Sequence, residues 1–503
     1  MTAQATTTSP HGASAPESGA YVTRTRWRSS YQLAWLLAVA SVAFFATAQY
    51  CRQLYADTYF DLYAGRYIAE HGIPERNVVT VMAHGQPWID QQWLAQLMFY
   101  RAWQLGGYAA VTVLSLILVS AGFALLGALM LRRGVSPISM SAWTLAALAV
   151  SYGYATPRAQ SFGYLFVPLV LWLVLADDGR QSPRRLTWLS LPLLVVWANV
   201  HGSVLIGAGF VGVHAAGRGW RALHDRDWRG LASYLLLGAG AAVAPLCTPY
   251  GVDVARYYRS LIGNPVLSSI GEWAPSNPAA SYTWAFFAVA SAVVTAAVVG
   301  WRRGTRPQPE LAIFAVLTLG LALLAFRNTP WFGFAGCLLA AEMLAGRSGR
   351  WSPAASFRWM LAVTLAATAM VSATGLARAP ASQYEALIPR RAIDVTAHLA
   401  GRQLGVPVLA DQWGAVGLLW LHPESLGRVA FDVRDEEYSQ PELTSLVDFM
   451  SGTGPRWQRL LRGYDLVVVS RRWHPRLADE MARSGGWRVI YTDTSGVVLE
   501  RVR

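Results

Sequence analysis

The sequence contains no lysine. All 42 basic residues are arginine, set against 29 acidic ones, giving a formal net charge of +13. Charge is scarce as well, at 14% of residues, while 54% are hydrophobic and the mean hydropathy is +0.30. That balance excludes an ordinary soluble enzyme and fits a multi-pass membrane protein. Cysteine is nearly absent. Cys51, Cys247 and Cys337 lie in or beside apolar segments without metal-type spacing, which excludes a disulfide framework and a zinc site. There is no glycine-rich phosphate loop, so no soluble-nucleotide site is expected. The net charge does not imply nucleic-acid binding either. The arginines sit in short clusters between apolar runs, as the positive-inside rule requires of inward-facing loops.

What is abundant is tryptophan, at 22, and long apolar runs. Residues 1–30 read as a small, polar, disordered cytoplasmic N-terminus. RTRWR then precedes a first span with no cleavage site after it, so this helix is read as uncleaved. Spans are expected near 31–50, 107–131, 140–156, 161–176, 232–248, 281–301, 310–326, 330–346 and 357–377. The run at 186–217 is too long for one upright helix. Splitting it at Asn199–Gly202 into two short helices gives about eleven in all. With the N-terminus inside, that split puts every arginine cluster between spans on the inside: Arg132–Arg133, 177–185, 218–229, 302–306 and 347–358. A single span there would send RRGTR to the outside. The outside then holds the loop 51–106 and the segments near 157–160, 199–203, 249–280 and 327–330. Beyond 378 the pattern changes. VPVLAD, RVAFDV, YDLVVVS and WRVIYTD read as strands, with helical patterns around 383–403, 440–452, 455–462 and 474–485. The expected architecture is therefore mainly α: a transmembrane bundle (31–377) followed by a small extracytoplasmic α/β domain (378–503).

The outside segments collect unusual polar residues. Asp57 and Asp61 are four apart, on one face if helical. His84, Trp88 and Asp90 follow in AHGQPWIDQQW. Arg158 lies between two spans, Asn199 and His201 at the split, Glu272 and Trp273 in the long loop, and Arg327 beside Asn328. Each has a plain structural reading. Asp57 caps a helix, Asp61 pairs with Arg66, Asn199 and His201 satisfy a broken helix, and the two arginines anchor at headgroups. Their joint placement at one membrane face is what points to a shared site, since ionisable groups there are costly and usually paired or functional. Carboxylates supply a general base or a metal ligand. Arginine forks match phosphate oxygens. Tryptophan faces suit sugar rings or lipid. A donor lying in the bilayer with a phosphate head at the surface fits this set.

These features resemble the GT-C class of integral-membrane glycosyltransferases, and more closely a group of bacterial polytopic proteins of that type. The residues carrying the likeness are DTYFDLYAGRYIAEHGIP (57–74), GQPWIDQQWLAQ (85–96), RAQSFGYL (158–165), WANVHGS (197–203), PYG (249–251), Glu272–Trp273, Arg327–Asn328, WG (413–414) and DVR (432–434). The resemblance implies that Asp57 is the catalytic base, with Asp61, Asp90 and Glu272 as further acids. It departs from the class in one respect. Adjacent acids are common in that first loop, whereas here three residues separate Asp57 from Asp61, and Gln92 stands where an acid is expected. Metal dependence, on a divalent cation for instance, stays open.

The leading expectation is a glycosyltransferase moving a sugar from a polyprenyl-phosphate donor to an extracytoplasmic glycan, lipid or protein at the outer face of the cytoplasmic membrane. Catalysis falls to Asp57, Asp61 and Glu272. Substrate binding falls to Arg158, Asn199, His201, Arg327, Trp88, Asp90 and Trp273. A transporter or flippase of lipid-linked sugars is the first rival, because broken helices occur at transporter sites. A non-catalytic envelope assembly protein is the second. In the C-terminal domain, Asp411, Trp413, Asp432 and Arg434 form either an acceptor surface or an internal scaffold of one ion pair and a packed ring.

Overall fold

Glycine sets where the first long apolar helix begins to span. The segment Trp93–Arg132 is helical throughout except at Gly106 and Gly107, and Gly107 has φ 61°, a left-handed backbone that other residues avoid. The break separates residues 93–105 from residues 108–132, which are long enough to cross a bilayer. The computed structural model describes residues 48, 52–177, 182–262, 264–345, 355–402, 406–453, 456–483 and 485–502. The expected disordered N-terminus (1–30) and first span (31–50), residue 48 apart, lie outside the described residues, as do parts of the arginine loops at 177–185 and 347–358.

Helix α1 (Ala56–His71) packs on α2 (Trp93–Arg132). The bundle continues through α3 (Pro137–Ser151), α4 (Ser161–Leu175), α5 (Ser190–Ala198), α6 (Val204–His224) and α7 (Trp228–Val243). After the short α8 (Val254–Ile262) come α9 (Trp284–Arg302), α10 (Pro309–Leu324), α11 (Thr329–Leu344) and α12 (Ala355–Ala377). Every span expected from residue 107 onward is a helix. The run at 186–217 is two, broken at residues 199–203. The chain is a multi-pass membrane protein. Among the described residues, three helical segments are long and apolar enough on their own to cross a membrane: Trp93–Arg132, Trp228–Leu246 and Ser281–Arg302.

Described arginines from the clusters at 132–133 and 218–229 lie at one end of this bundle. There Arg133 pairs with Glu342, Arg221 Nη2 lies 2.8 Å from Glu310, and His214 Nε2 lies 3.0 Å from Asp177. The turns at 157–160, 199–203 and 326–328 lie at the opposite end. Close helix contact holds the centre. A Cβ at Gly122 of α2 would sit 2.0 Å from the Tyr164 carbonyl oxygen of α4. We expect Gly122→Ala to destabilise the bundle by about 1–3 kcal/mol through forced separation of these helices, read as a lower melting temperature in detergent. An unchanged melt would mean the two helices do not touch.

The C-terminal unit comprises α13 (Arg390–Arg402), β1 (Val408–Ala410), α14 (Gln412–Leu421), α15 (Gln440–Ser451), β2 (Leu466–Ser470), α16 (Pro475–Arg483), β3 (Trp487–Thr492) and β4 (Gly496–Arg501). Its sheet runs β1-β2-β4-β3, parallel at β1–β2 and antiparallel elsewhere. Two sequence expectations are corrected here. RVAFDV is not a regular strand. Its Val429 forms isolated bridges to Val408 on one side and Thr80 on the other, because its second neighbour is the external loop rather than a sheet strand. The strand β4 and the helix α14 were not foreseen. α14 reads as an unbroken apolar run because it is buried on nearly all sides. It lies along α1, where Arg66 donates to the Leu419 and Trp420 carbonyls at 2.7 and 3.0 Å. The C-terminal unit is thus fastened to the loop that carries Asp57 and Asp61.

Candidate functional site

Local hydrogen bonding places each side chain of the site. Asp57 lies in the first turn of α1, where the helix dipole favours its charge. One turn on, Asp61 accepts from the Ala159 backbone N–H at 2.8 Å, and Thr58 donates to the Pro157 carbonyl. Together they clamp the 157–160 turn against α1 and fix Arg158. Two further loops are tied by Phe326 N to Ala274 O at 3.0 Å and Ser276 N to Leu323 O at 3.1 Å. Those bonds set Glu272 beside Arg327.

The result is a chain of charges. Arg158 Nη1 donates to Asp57 Oδ2 at 2.7 Å and to Glu272 Oε2 at 3.1 Å. The other oxygen of Glu272 meets Arg327 Nη1 at 3.2 Å. The Arg327 guanidinium stacks 3.9 Å over Trp273. Arg158 is only 8% exposed, and its Nε and Nη2 find no partner among the described residues. These groups line one cavity of about 430 Å³, together with Asp61, His201, Tyr257, Tyr258 and Gln412.

Charge states follow from the surroundings. Burial alone would raise the Glu272 carboxyl, but Arg158 and Arg327 flank it and hold it at about 2. Burial pushes Asp61 well above the carboxylate range, and the charge of Asp57 adds to this. Burial also lowers His201 to about 3, helped by Arg327 and Arg158, so its ring is neutral. The Ser203 backbone N–H donates to His201 Nδ1 at 3.1 Å, which leaves the ring proton on Nε2.

Of the residues expected from sequence, Asp57, Asp61, Arg158, His201, Glu272, Trp273 and Arg327 line this one cavity. Three stand apart from it. Asn199 donates to the Val195 and Cys247 carbonyls, both at 2.9 Å, and accepts from Trp93 Nε1 at 2.9 Å, so it closes the helical hairpin. Trp88 is buried beneath Arg434, whose guanidinium lies 4.4 Å over its ring. Asp90 is buried and accepts from Gln96 Nε2 at 2.9 Å, and burial raises it to about 7. His84 is exposed. Asp432 and Arg434 are an internal pair, with Nε–Oδ2 at 2.8 Å, and Tyr63 donates to the same carboxylate at 2.7 Å.

Sequence reasoning missed two acids of the roof. Asp435 and Glu436 from the C-terminal unit also line the cavity, beside Arg434, which the sequence had singled out. Burial raises Asp435 to about 7 and Glu436 to about 8, with Asp57 and Glu437 as the next contributors. The signal was present as the run RDEE, which reads equally well as a solvated loop. A raised carboxyl stabilises the fold below its unfolded value of 4.5 and loses that contribution as pH climbs through about 8. Glu436→Gln should therefore leave the melting temperature unchanged at pH 4 and raise it by about 2–4 °C at pH 9. An equal melt at both pH values would place Glu436 in bulk water.

The sequence left a divalent metal open. Among the described residues no group of three His, Cys, Asp or Glu is arranged to hold one. The inner carboxylate oxygens of Asp57 and Glu272 are taken by arginine, so this donor set does not fit a cation.

No protein-family model and no curated protein matches this chain. Solved structures do. The archaeal oligosaccharyltransferase AglB from Archaeoglobus fulgidus, in complex with an inhibitory peptide and a dolichol-phosphate, aligns with a TM-score of 0.51 at 11% identity, over 93% of this chain and 74% of its own. ArnT from Cupriavidus metallidurans, bound to undecaprenyl phosphate, aligns at 0.49 and 16% identity, over 93% and 98%. The mycobacterial arabinofuranosyltransferase AftD aligns at 0.49 and 18% identity over 93% of this chain, which spans 40% of AftD's length. The fold is that of the GT-C membrane glycosyltransferases, carried by the likeness to the oligosaccharyltransferase.

Proposed function

We propose that the chain is a membrane glycosyltransferase. It takes a sugar from a polyprenyl-phosphate donor and gives it to an extracytoplasmic glycan, lipid or protein, at the outer face of the cytoplasmic membrane. The observation that carries this reading is the meeting of Asp57 with two arginines, Arg158 and Arg327, and the His201 ring around one cavity. Two guanidiniums and a ring N–H beside a carboxylate suit a donor phosphate held next to a base. Arg158 already holds Asp57 at 2.7 Å, so a phosphate drawn to the arginines lies beside that carboxylate.

The chemistry follows from that spacing. Asp57 removes the acceptor hydroxyl proton. The oxygen attacks the anomeric carbon, and the bond from that carbon to the phosphate oxygen breaks with inversion. The electron pair leaves on the polyprenyl phosphate, where Arg158, Arg327 and the His201 Nε2–H stabilise it. Glu272 holds the two arginines in place between turnovers, and Asp61 fixes the turn that carries Arg158. The cavity opens at one end of the helices, which favours a transferase over a transporter with a midplane site.

The test is transfer in membranes supplied with radiolabelled polyprenyl-phosphate sugars. Transfer that depends on both Asp57 and Arg158 supports the reading. Vectorial movement of intact lipid-linked sugar without bond cleavage would replace it with the transporter.

A further inference from the structure

A second cavity, of about 510 Å³, lies on the C-terminal unit between α14, α15 and the start of α16. One wall is Trp473, backed by a second tryptophan. Trp413 is buried and stacks on Trp473 with the ring planes 6° apart and centroids 4.5 Å apart. Trp473 is 38% exposed, and its Nε1 donates to the Leu387 carbonyl at 3.0 Å, so the ring is held in place while part of it faces outward. Around it stand Gln412, Ser451, His474 and Arg476, with Met450 below. No acidic side chain is among the described residues lining it. The Gln412 side chain has no hydrogen-bond partner among the described residues. His474 is steadied from behind, where Asp411 lies 3.8 Å from its Nε2 and is itself anchored by the Gly414 and Ser470 N–H groups.

We propose that this groove binds a glycan chain, as a subsite for an elongated acceptor. This rests on the transferase reading above. A rigid aromatic wall offers an apolar surface for the C–H face of a sugar ring. The amide, hydroxyl, imidazole and guanidinium groups beside it match the ring hydroxyls. The groove sets hydrogen-bonding groups beside its apolar ones, which a sugar uses and a lipid tail does not, and the sheet edge at β3 that a peptide strand would extend is not part of it. The position supplies the reason for the site. Gln412 and Ile270 line both this groove and the chamber that holds Asp57. A chain lying along Trp473 would present its next unit to the base.

The experiment uses the full chain in nanodiscs with a panel of neutral hexasaccharides (gluco-, manno-, galacto- and arabino-hexaose), followed by calorimetry and saturation-transfer NMR. At least one should bind, and Trp473→Ala should weaken it about tenfold, with Trp473→Phe recovering part of the loss and Gln412→Ala showing a smaller one. If no hexasaccharide binds, or binding survives Trp473→Ala in a protein with an unchanged melt, the groove is not a glycan site. Binding without any transfer activity would leave the groove standing and remove the transferase reading. Transfer with an unchanged acceptor KM in Trp473→Ala would do the reverse.

Discussion

Asp57→Asn lowers kcat for transfer by about 10²–10⁴, the usual contribution of a positioned general base. Size and hydrogen-bonding reach are kept, and only the capacity to take a proton is lost. The fold should survive. Asp57 is 43% exposed at its side chain, so its ion pair with Arg158 contributes little to stability. Donor KM should stay close to that of the wild type, because Glu272 still holds Arg158 and Arg327 in place. Asp61→Asn is the control. Burial pushes the Asp61 carboxyl well above its ordinary range, and an amide oxygen can still accept from Ala159 N–H. Its variant should therefore keep most of the activity, whereas Asp61→Leu frees the 157–160 turn and loses both activity and stability. Full transfer by Asp57→Asn would end its role as base and pass that role to another acid of the chamber, with Asp435 the first to test.

The arginine pattern made the bundle legible. Positive charge is costly to move across a bilayer, so the clusters marked one end of each span. That alone forced the break at 199–203, which the structure has. Five separate loops then had to meet at the opposite end, and Asp57, Arg158, His201, Glu272 and Arg327 do meet there. What the pattern could not separate is polar groups that face the cavity from those that serve the backbone. Asn199 and His201 are two residues apart in the same turn. Asn199 spends its amide on the Val195 and Cys247 carbonyls, while the His201 ring lines the cavity. Both satisfy the same rule for a broken helix. Trp88 and Asp90 likewise sit beside an apolar run, but on the buried side of the external loop. The C-terminal unit was harder because its pairing is non-local. The alternation in RVAFDV is real, yet its backbone bonds go to residues 81 and 82 of a loop some 350 positions away. Asp435 and Glu436 were hidden for the same reason, since only that docking carries an ordinary acidic loop over the chamber.

Arg158→Lys is the substitution that separates the guanidinium's two tasks. An ammonium at the Nη1 position can still attract Asp57 and Glu272, so the charge chain persists. It cannot offer a planar fork of N–H groups, which is a property of the guanidinium. If that group holds the donor phosphate, Arg158→Lys lowers kcat/KM by about 10²–10³, with a raised donor KM and no change in acceptor KM. Arg158→Met goes further. It leaves Glu272 with Arg327 alone, so the carboxyl held at about 2 climbs toward its usual 4.5. Breaking a fully buried pair costs about 3–5 kcal/mol, and the side-chain exposure of Asp57 (43%) and Glu272 (29%) keeps the loss below that range. Donor titrations of the two variants beside their thermal melts distinguish the cases. A lysine variant with wild-type donor KM and kcat would mean that Arg158 does not hold the phosphate, and the donor site would have to be sought at Arg327. A lysine variant that melts like the wild type but has lost its donor affinity would tie the Arg158 guanidinium to substrate.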